Sequence, residues 1–119
     1  MNRRTHLVIG FVLFLCWTRI AGSTHSVSGE VFVIGVIAAA AGSVYPDILE
    51  PATNARHRGF FHSRRMLVFA TAGFLVTAVT ILSTPGMPRL ALVFGASSGF
   101  LGYSTHLLAD SLTRAGLPG

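Results

Sequence analysis

Imidazole and carboxylate side chains gather at three places in this sequence: His6 near its start, Asp47, Glu50, His57 and His62 in the polar stretch 45–65, and His106 with Asp110 near its end. Histidine and aspartate together are typical ligands of a catalytic zinc or manganese ion that keeps one position open for water. His106 and Asp110 stand at i and i+4, so on a helix their side chains project from one face and can hold one ion or one water. Taken alone, that pair reads equally well as a polar helix end at a membrane boundary. The segment His57-Arg-Gly-Phe-Phe-His62-Ser63 is more informative. Gly59 permits a turn between the two histidines, and His62 or Ser63 can open the helix that follows, where free backbone N–H groups favour anions. The bland reading is a solvated basic loop with incidental histidines, and the convergence of several ligand types at one level weighs against it.

Composition says what must carry these side chains. The 119 residues make one domain, 1–119, that is 51% hydrophobic and only 11% charged, with a mean hydropathy of +0.64. A soluble domain carries roughly a quarter charged residues, so the apolar excess here must face lipid. Apolar runs occupy 7–20, 31–44, 66–82 and 90–112, separated by a Gly/Ser turn at 22–29, by the polar stretch, and by Ser83-Thr84-Pro85-Gly86. Several runs fall short of the ~20 residues that cross a bilayer, so polar flanks must extend them. The second run holds alanines at 38–41 with Gly35 and Gly42, small residues that let membrane helices approach closely, and is predicted to end at Tyr45-Pro46. The expected fold is an all-α integral membrane bundle of about four transmembrane helices, with a polar cytoplasmic loop between helices two and three.

All nine basic residues are arginine and the formal net charge is +5. No nucleic-acid motif accompanies them, and membrane topology explains them more simply than nucleic-acid binding does. With four spans, Arg3, Arg4, Arg56, Arg58, Arg64, Arg65 and Arg114 fall on one side and Arg19 and Arg89 on the other. Basic loops stay in the cytoplasm, so this is a multi-pass cell-membrane protein with both termini and the 45–65 loop inside. His6, Asp47, His57, His62, His106 and Asp110 then all lie at one cytoplasmic level. A signal peptide is the competing reading of residues 3–22, but Trp17 and Ile20 sit where cleavage wants small residues. An uncleaved first helix is favoured. Cys16 is a single cysteine in an apolar run, and His25 is read as a loop histidine without a partner.

The order of these residues resembles a family. Thr5-His6, Pro46-Asp47, the run from His57 to Ser63, and Gly102-Tyr103 followed by His106, Asp110, Thr113 and Gly116 are similar to the motifs of the YdjM-type membrane-bound metal-dependent hydrolases, across essentially the whole chain. The resemblance implies a membrane-embedded hydrolase. Family members often have P-D-x-D after the second helix, whereas this chain has Pro46-Asp47-Ile48-Leu49-Glu50, leaving Glu50 as the nearest substitute for the second carboxylate. The ligand set expected is His57, His62, His106, Asp47 and Asp110, with His6 a further candidate, around a divalent metal, zinc or manganese. Glu50 or His62 is the expected general base. Arg56, Arg58 and Ser63 are the expected contacts for an anionic substrate, a phosphoester or lipid head group, because guanidinium binds phosphate in bidentate fashion. Membrane lipids are the expected surroundings.

Two other classes remain in view. A non-enzymatic membrane metal-binding or scaffold protein would keep the ligands without the chemistry. A transporter would need polar residues along the helix middles, where only Thr71, Thr77, Thr80, Ser97 and Ser98 are available. A cleaved, exported fragment would be recognised by mass spectrometry of the mature N-terminus. The topology makes its own prediction: cysteine labelling at positions 2, 54 and 119 should report one side of the membrane and labelling at 25 the other. Labelling of all four from outside would overturn it.

Overall fold

The computed structural model describes residues 2–51, 59–113 and 116–119. His57, Arg56, Arg58 and Arg114, all part of the sequence-based expectations, lie outside the described residues. Polar side chains begin three of the four helices. Helix α1 (Arg3–Ala21) opens on Asn2, whose Oδ1 accepts the Thr5 N–H at 2.9 Å. Helix α2 (Gly29–Leu49) opens on Ser28, whose hydroxyl accepts from Val31 N at 3.3 Å. Helix α3 (Arg64–Ser83) opens on Ser63, whose hydroxyl accepts from Met66 N at 3.2 Å. Each cap satisfies a first-turn N–H that has no partner within its helix. A 3-10 turn, Phe60–His62, precedes α3. Helix α4 (Leu90–Ser111) has no side-chain cap and follows a sharp turn with Gly86 and Arg89 in the left-handed region.

Pro46 was expected to end helix two, and it does not. α2 runs on to Leu49 with Pro46 inside it, and the stop falls at Glu50, which precedes Pro51 and has left the helical region at φ −129° and ψ 77°. A proline within a helix loses one hydrogen bond and crowds the carbonyl four residues back. Here the turn beyond it keeps its own helical bond, the Glu50 N–H to the Pro46 carbonyl at 2.9 Å, and is packed by neighbours: Pro46 is buried, and the Ser43 carbonyl accepts from the His106 ring of α4. The polar loop is therefore shorter than expected, and Asp47 is a helix residue with a fixed direction.

α2 and α4 form the most extensive contact in the bundle. At their crossing the two backbones touch: a methyl group on Gly42 would collide with the Gly99 carbonyl oxygen, and one on Gly102 with that of Ala39. Away from the site, Phe14, Trp17 and Ala21 of α1 pack with Ala39, Ala78, Ile81 and Phe94. The Trp17 indole N–H donates to the Ser97 hydroxyl at 3.0 Å. Thr77, Thr80, Ser97 and Ser98 donate their hydroxyls to carbonyls three or four residues back, so these mid-helix hydroxyl hydrogens are used within their own helices.

Val8, Ile37, Val68, Phe69, Val76, Val79 and Leu92 point outward, as a lipid-facing surface requires. By length and composition α1, α2 and α3 can cross a membrane. α4 is as long but is not among these three candidates. Its polar residues Ser97, Ser98, Ser104, Thr105, His106 and Asp110 are instead buried against the other helices. His25 also departs from expectation: its Nε2–H donates to the Thr84 carbonyl at 2.9 Å and its Nδ1 lies 2.9 Å from the Thr24 hydroxyl, which ties the two far-end turns together.

The backbone contact predicts that Gly42→Val and Gly102→Val each destabilise the bundle by about 1–3 kcal/mol or more through overpacking. Thermal unfolding in detergent measures this, with exposed Ala41→Val as a control expected to stay within about 0.5 kcal/mol of the parent.

Candidate metal centre

Four elements deliver ionisable side chains to one end of the bundle. His6 comes from the first turns of α1, Asp47 from the last turn of α2, His62 from the 3-10 turn, and His106 and Asp110 from the last turns of α4. The side chains of His6, His62, His106 and Asp110 are at most 4% exposed, while Asp47 is 30% exposed. Burying such groups costs several kcal/mol each unless they are paired or bind a metal.

Their geometry shows what they are arranged to hold. His106 Nδ1 lies 2.6 Å from the Ser43 carbonyl. A carbonyl only accepts, so Nδ1 carries the hydrogen, and Nε2 of the neutral ring presents a lone pair. That lone pair faces Asp47 Oδ1 at 3.5 Å and Asp110 Oδ2 at 3.3 Å, which are acceptors too. His62 repeats the arrangement: Nδ1 bonds Glu50 Oε2 at 2.9 Å, and Nε2 lies 3.3 Å from Asp47 Oδ1 and 3.9 Å from Asp110 Oδ2. Lone pairs meeting lone pairs in a buried site repel unless a proton or a cation stands between them. Nε2 of His106 has no hydrogen-bond partner among the described residues, and neither do Nδ1 of His6 and the hydroxyl of Ser43.

The donor atoms are close enough for a shared ion. One donor each from His62, His106 and Asp110 lie within 4.8 Å of one another, as do donors from His6, Asp47 and His106. Ligands about 2.0–2.2 Å from a metal fit inside such a triangle. The donor set is therefore one that could hold a metal ion. His6 differs from the others in orientation. It stacks on His106 with 3.9 Å between ring centroids and 21° between the rings. Its Nε2 instead meets Asp110 Oδ1 at 3.3 Å.

Glu50 is at the edge of the cluster with its oxygens engaged. They accept from the N–H groups of Gly59 at 3.0 Å, Phe61 at 3.1 Å and His62 at 3.2 Å, besides the His62 ring. Burial would raise its pKa, but the His62 hydrogen bond and those from Phe61 and Gly59 outweigh it and hold the carboxyl below its ordinary value. The carboxylate thus clamps the turn and fixes the His62 tautomer, the role that a second layer of hydrogen bonds plays around metal-ligating histidines.

Of the residues expected from the sequence, His6, Asp47, His62, His106 and Asp110 meet here, with Glu50 behind His62. Ser63 is buried and uses its hydroxyl as the α3 cap. Two contributors were missed. The Ser43 carbonyl orients His106, and the only sequence signal for it is its place one turn before Asp47 on the same helix. Tyr103 donates its hydroxyl to the Phe61 carbonyl at 2.9 Å and so braces the turn that carries His62. It stands in the Gly102-Tyr103 motif, but nothing local states its partner.

A family model described as YdjM inner membrane protein matches residues 1–118. No curated protein and no solved structure matches the chain.

Two predictions follow from the geometry. His106→Ala and Asp110→Asn should each leave bound metal well below stoichiometric in detergent-purified protein, and Glu50→Gln should weaken metal affinity about 10–100-fold without removing a ligand. Full occupancy in the His106→Ala, Asp110→Asn double variant would take α4 out of the site. The Glu50 clamp also has an acid limb. Because the folded pKa lies below the unfolded one, its stabilisation is complete above the ordinary carboxyl pKa and is lost as pH falls through the folded value. Thermal scans of Glu50→Gln against pH should lack that part of the acid destabilisation.

Proposed function

The chain belongs to the YdjM inner membrane protein family, and on that premise we propose that it is a metal-dependent hydrolase embedded in the membrane, acting on a phosphoester at the cytoplasmic face. The observation that carries the reading is the buried meeting of the His62 and His106 Nε2 atoms with the Asp47 and Asp110 carboxylates, a set that calls for a cation. Two imidazoles and two carboxylates suit zinc or manganese. Such an ion lowers the pKa of bound water towards ~7 and polarises the scissile group.

The residues divide the remaining work. His62, His106 and Asp110, all buried, would hold the ion. Asp47, the one partly exposed member, stands where water and substrate arrive and is placed to take the proton of the attacking water. Glu50, with its oxygens engaged, is a positioning residue that acts through His62. His6 steadies Asp110 from the opposite side. Arg56 and Arg58 keep their proposed part as contacts for an anionic substrate, because a guanidinium matches phosphate geometry. The arginine asymmetry supports a cytoplasmic position for this end, with both termini.

A purely structural metal site closes all its positions with protein. The exposure of Asp47 favours the enzyme over the non-enzymatic metal-binding reading. The test is phosphate-ester hydrolysis by zinc- or manganese-loaded protein in detergent, using para-nitrophenyl phosphate and its diester. Asp47→Asn should lower kcat about 10²–10⁴-fold, the usual contribution of a positioned proton acceptor. Stoichiometric metal with no hydrolysis of either ester would leave the non-enzymatic reading standing.

A further inference from the structure

We propose that the apolar groove between α1 and α2 seats one acyl chain of a phosphate-bearing membrane lipid and delivers its head group to the Asp47 edge of the metal centre. The head-group half of this inference rests on the hydrolase reading, whereas the groove itself does not. Leu7 and Phe11 of α1 and Val36, Ala39 and Ala40 of α2 line a cavity of about 200 Å³. Both walls belong to helices able to span a membrane, so the medium outside is hydrocarbon. Water does not fill an apolar cavity, and an acyl chain does.

Helical register directs the groove at the site. Asp47 lies seven residues beyond Ala40, about two turns and ~10 Å along the axis and only ~20° round the helix. On the facing wall, Leu7 lies one turn beyond Arg3, and Phe11 lies seven residues beyond Arg4. The groove therefore runs towards Asp47 on one side and Arg3 and Arg4 on the other. Both arginines are exposed and make no ion pair with any described residue. Asp47 is also the only one of the five clustered side chains with appreciable exposure, so a phosphate must approach from its side. There it would meet two guanidinium groups suited to bind it.

The larger groove between α2 and α4, about 360 Å³ and lined by Gly42, Tyr45, Gly99, Phe100 and Tyr103 among others, is a poorer route. Asp47 lies ~140° round α2 from Gly42. Buried Tyr103, bonded to the Phe61 carbonyl, closes the end of that groove beneath the turn carrying His62.

The test uses the metal-loaded full chain in nanodiscs doped with phosphatidic acid carrying a mid-chain diazirine, beside a diacylglycerol probe with the same chain. After irradiation, labelled residues are mapped by mass spectrometry. Expected is labelling at Leu7, Phe11 and Val36, enriched about tenfold for the phosphatidic acid over the diacylglycerol, the size of one charge-assisted hydrogen bond. Ala40→Phe should abolish the enrichment with bound metal unchanged, and Ala41→Phe should not. Groove labelling equal for both probes and no greater than that of lipid-facing Val68, Val76 and Leu92, labelling concentrated at Tyr45 and Phe100, or exclusion of lipid from the groove by a second copy of the chain would each overturn the proposal. Enriched groove labelling with intact phosphatidic acid and bound metal would sink the hydrolase reading alone. Hydrolysis of para-nitrophenyl phosphate without groove enrichment would sink the groove alone.

Discussion

The contact of backbone on backbone where α2 crosses α4 is the constraint from which the rest of the structure follows. Gly42 and Gly102 remove the side chains that would hold the helices apart, and each admits a carbonyl of the other helix into the space a methyl group would fill. At that separation the His106 ring reaches the Ser43 carbonyl at 2.6 Å, and its other nitrogen reaches Asp47 and Asp110. An extra ångström between the helices would break the hydrogen bond that sets the tautomer. In a membrane, where apolar burial does not drive helices together, such small-residue packing and interhelical hydrogen bonds are the main sources of association. The contact that holds the bundle is thus also the one that shapes the site.

Among the described residues, buried ionisable side chains are confined to one end. The far half of the bundle is an aromatic and aliphatic core around Phe14, Trp17, Ile81 and Phe94, and its hydroxyls return to their own helices. The near half concentrates three histidines and two aspartates with little water to solvate them. That division suits chemistry at a membrane surface, since charges near the boundary cost less than charges at mid-bilayer. α4 makes the division possible by standing inside the bundle. Its polar face would be penalised against lipid, and α1, α2 and α3 supply most of the lipid-facing surface.

Glu50 shows how a residue can be placed at the site and yet not act directly in it. Three backbone N–H groups and an imidazole converge on one carboxylate, which makes the 3-10 turn a cradle for an anion the protein itself provides. The cradle aims His62, and Tyr103 braces the same turn from α4. The proposed open position then falls to Asp47, the one member of the cluster with appreciable exposure.

The sequence by itself determined the membrane class, the four helices with Ser63 as a candidate start of the third, and the single level at which His6, Asp47, His62, His106 and Asp110 lie. These are readable because hydropathy, caps and periodicity are local properties of the chain, and short connections force alternating direction. Only the tertiary structure decided that Pro51 rather than Pro46 ends α2, that α4 is an interior helix, that Glu50 is a clamp, that His25 ties two turns, and that His6 stacks on His106. Each of those depends on a partner far away in the chain. A proline's penalty is offset by contacts beyond its own helix, and a histidine's free nitrogen is set by whatever its other nitrogen meets. For His106 that partner is a carbonyl in α2, and no pattern within α4 encodes its distance.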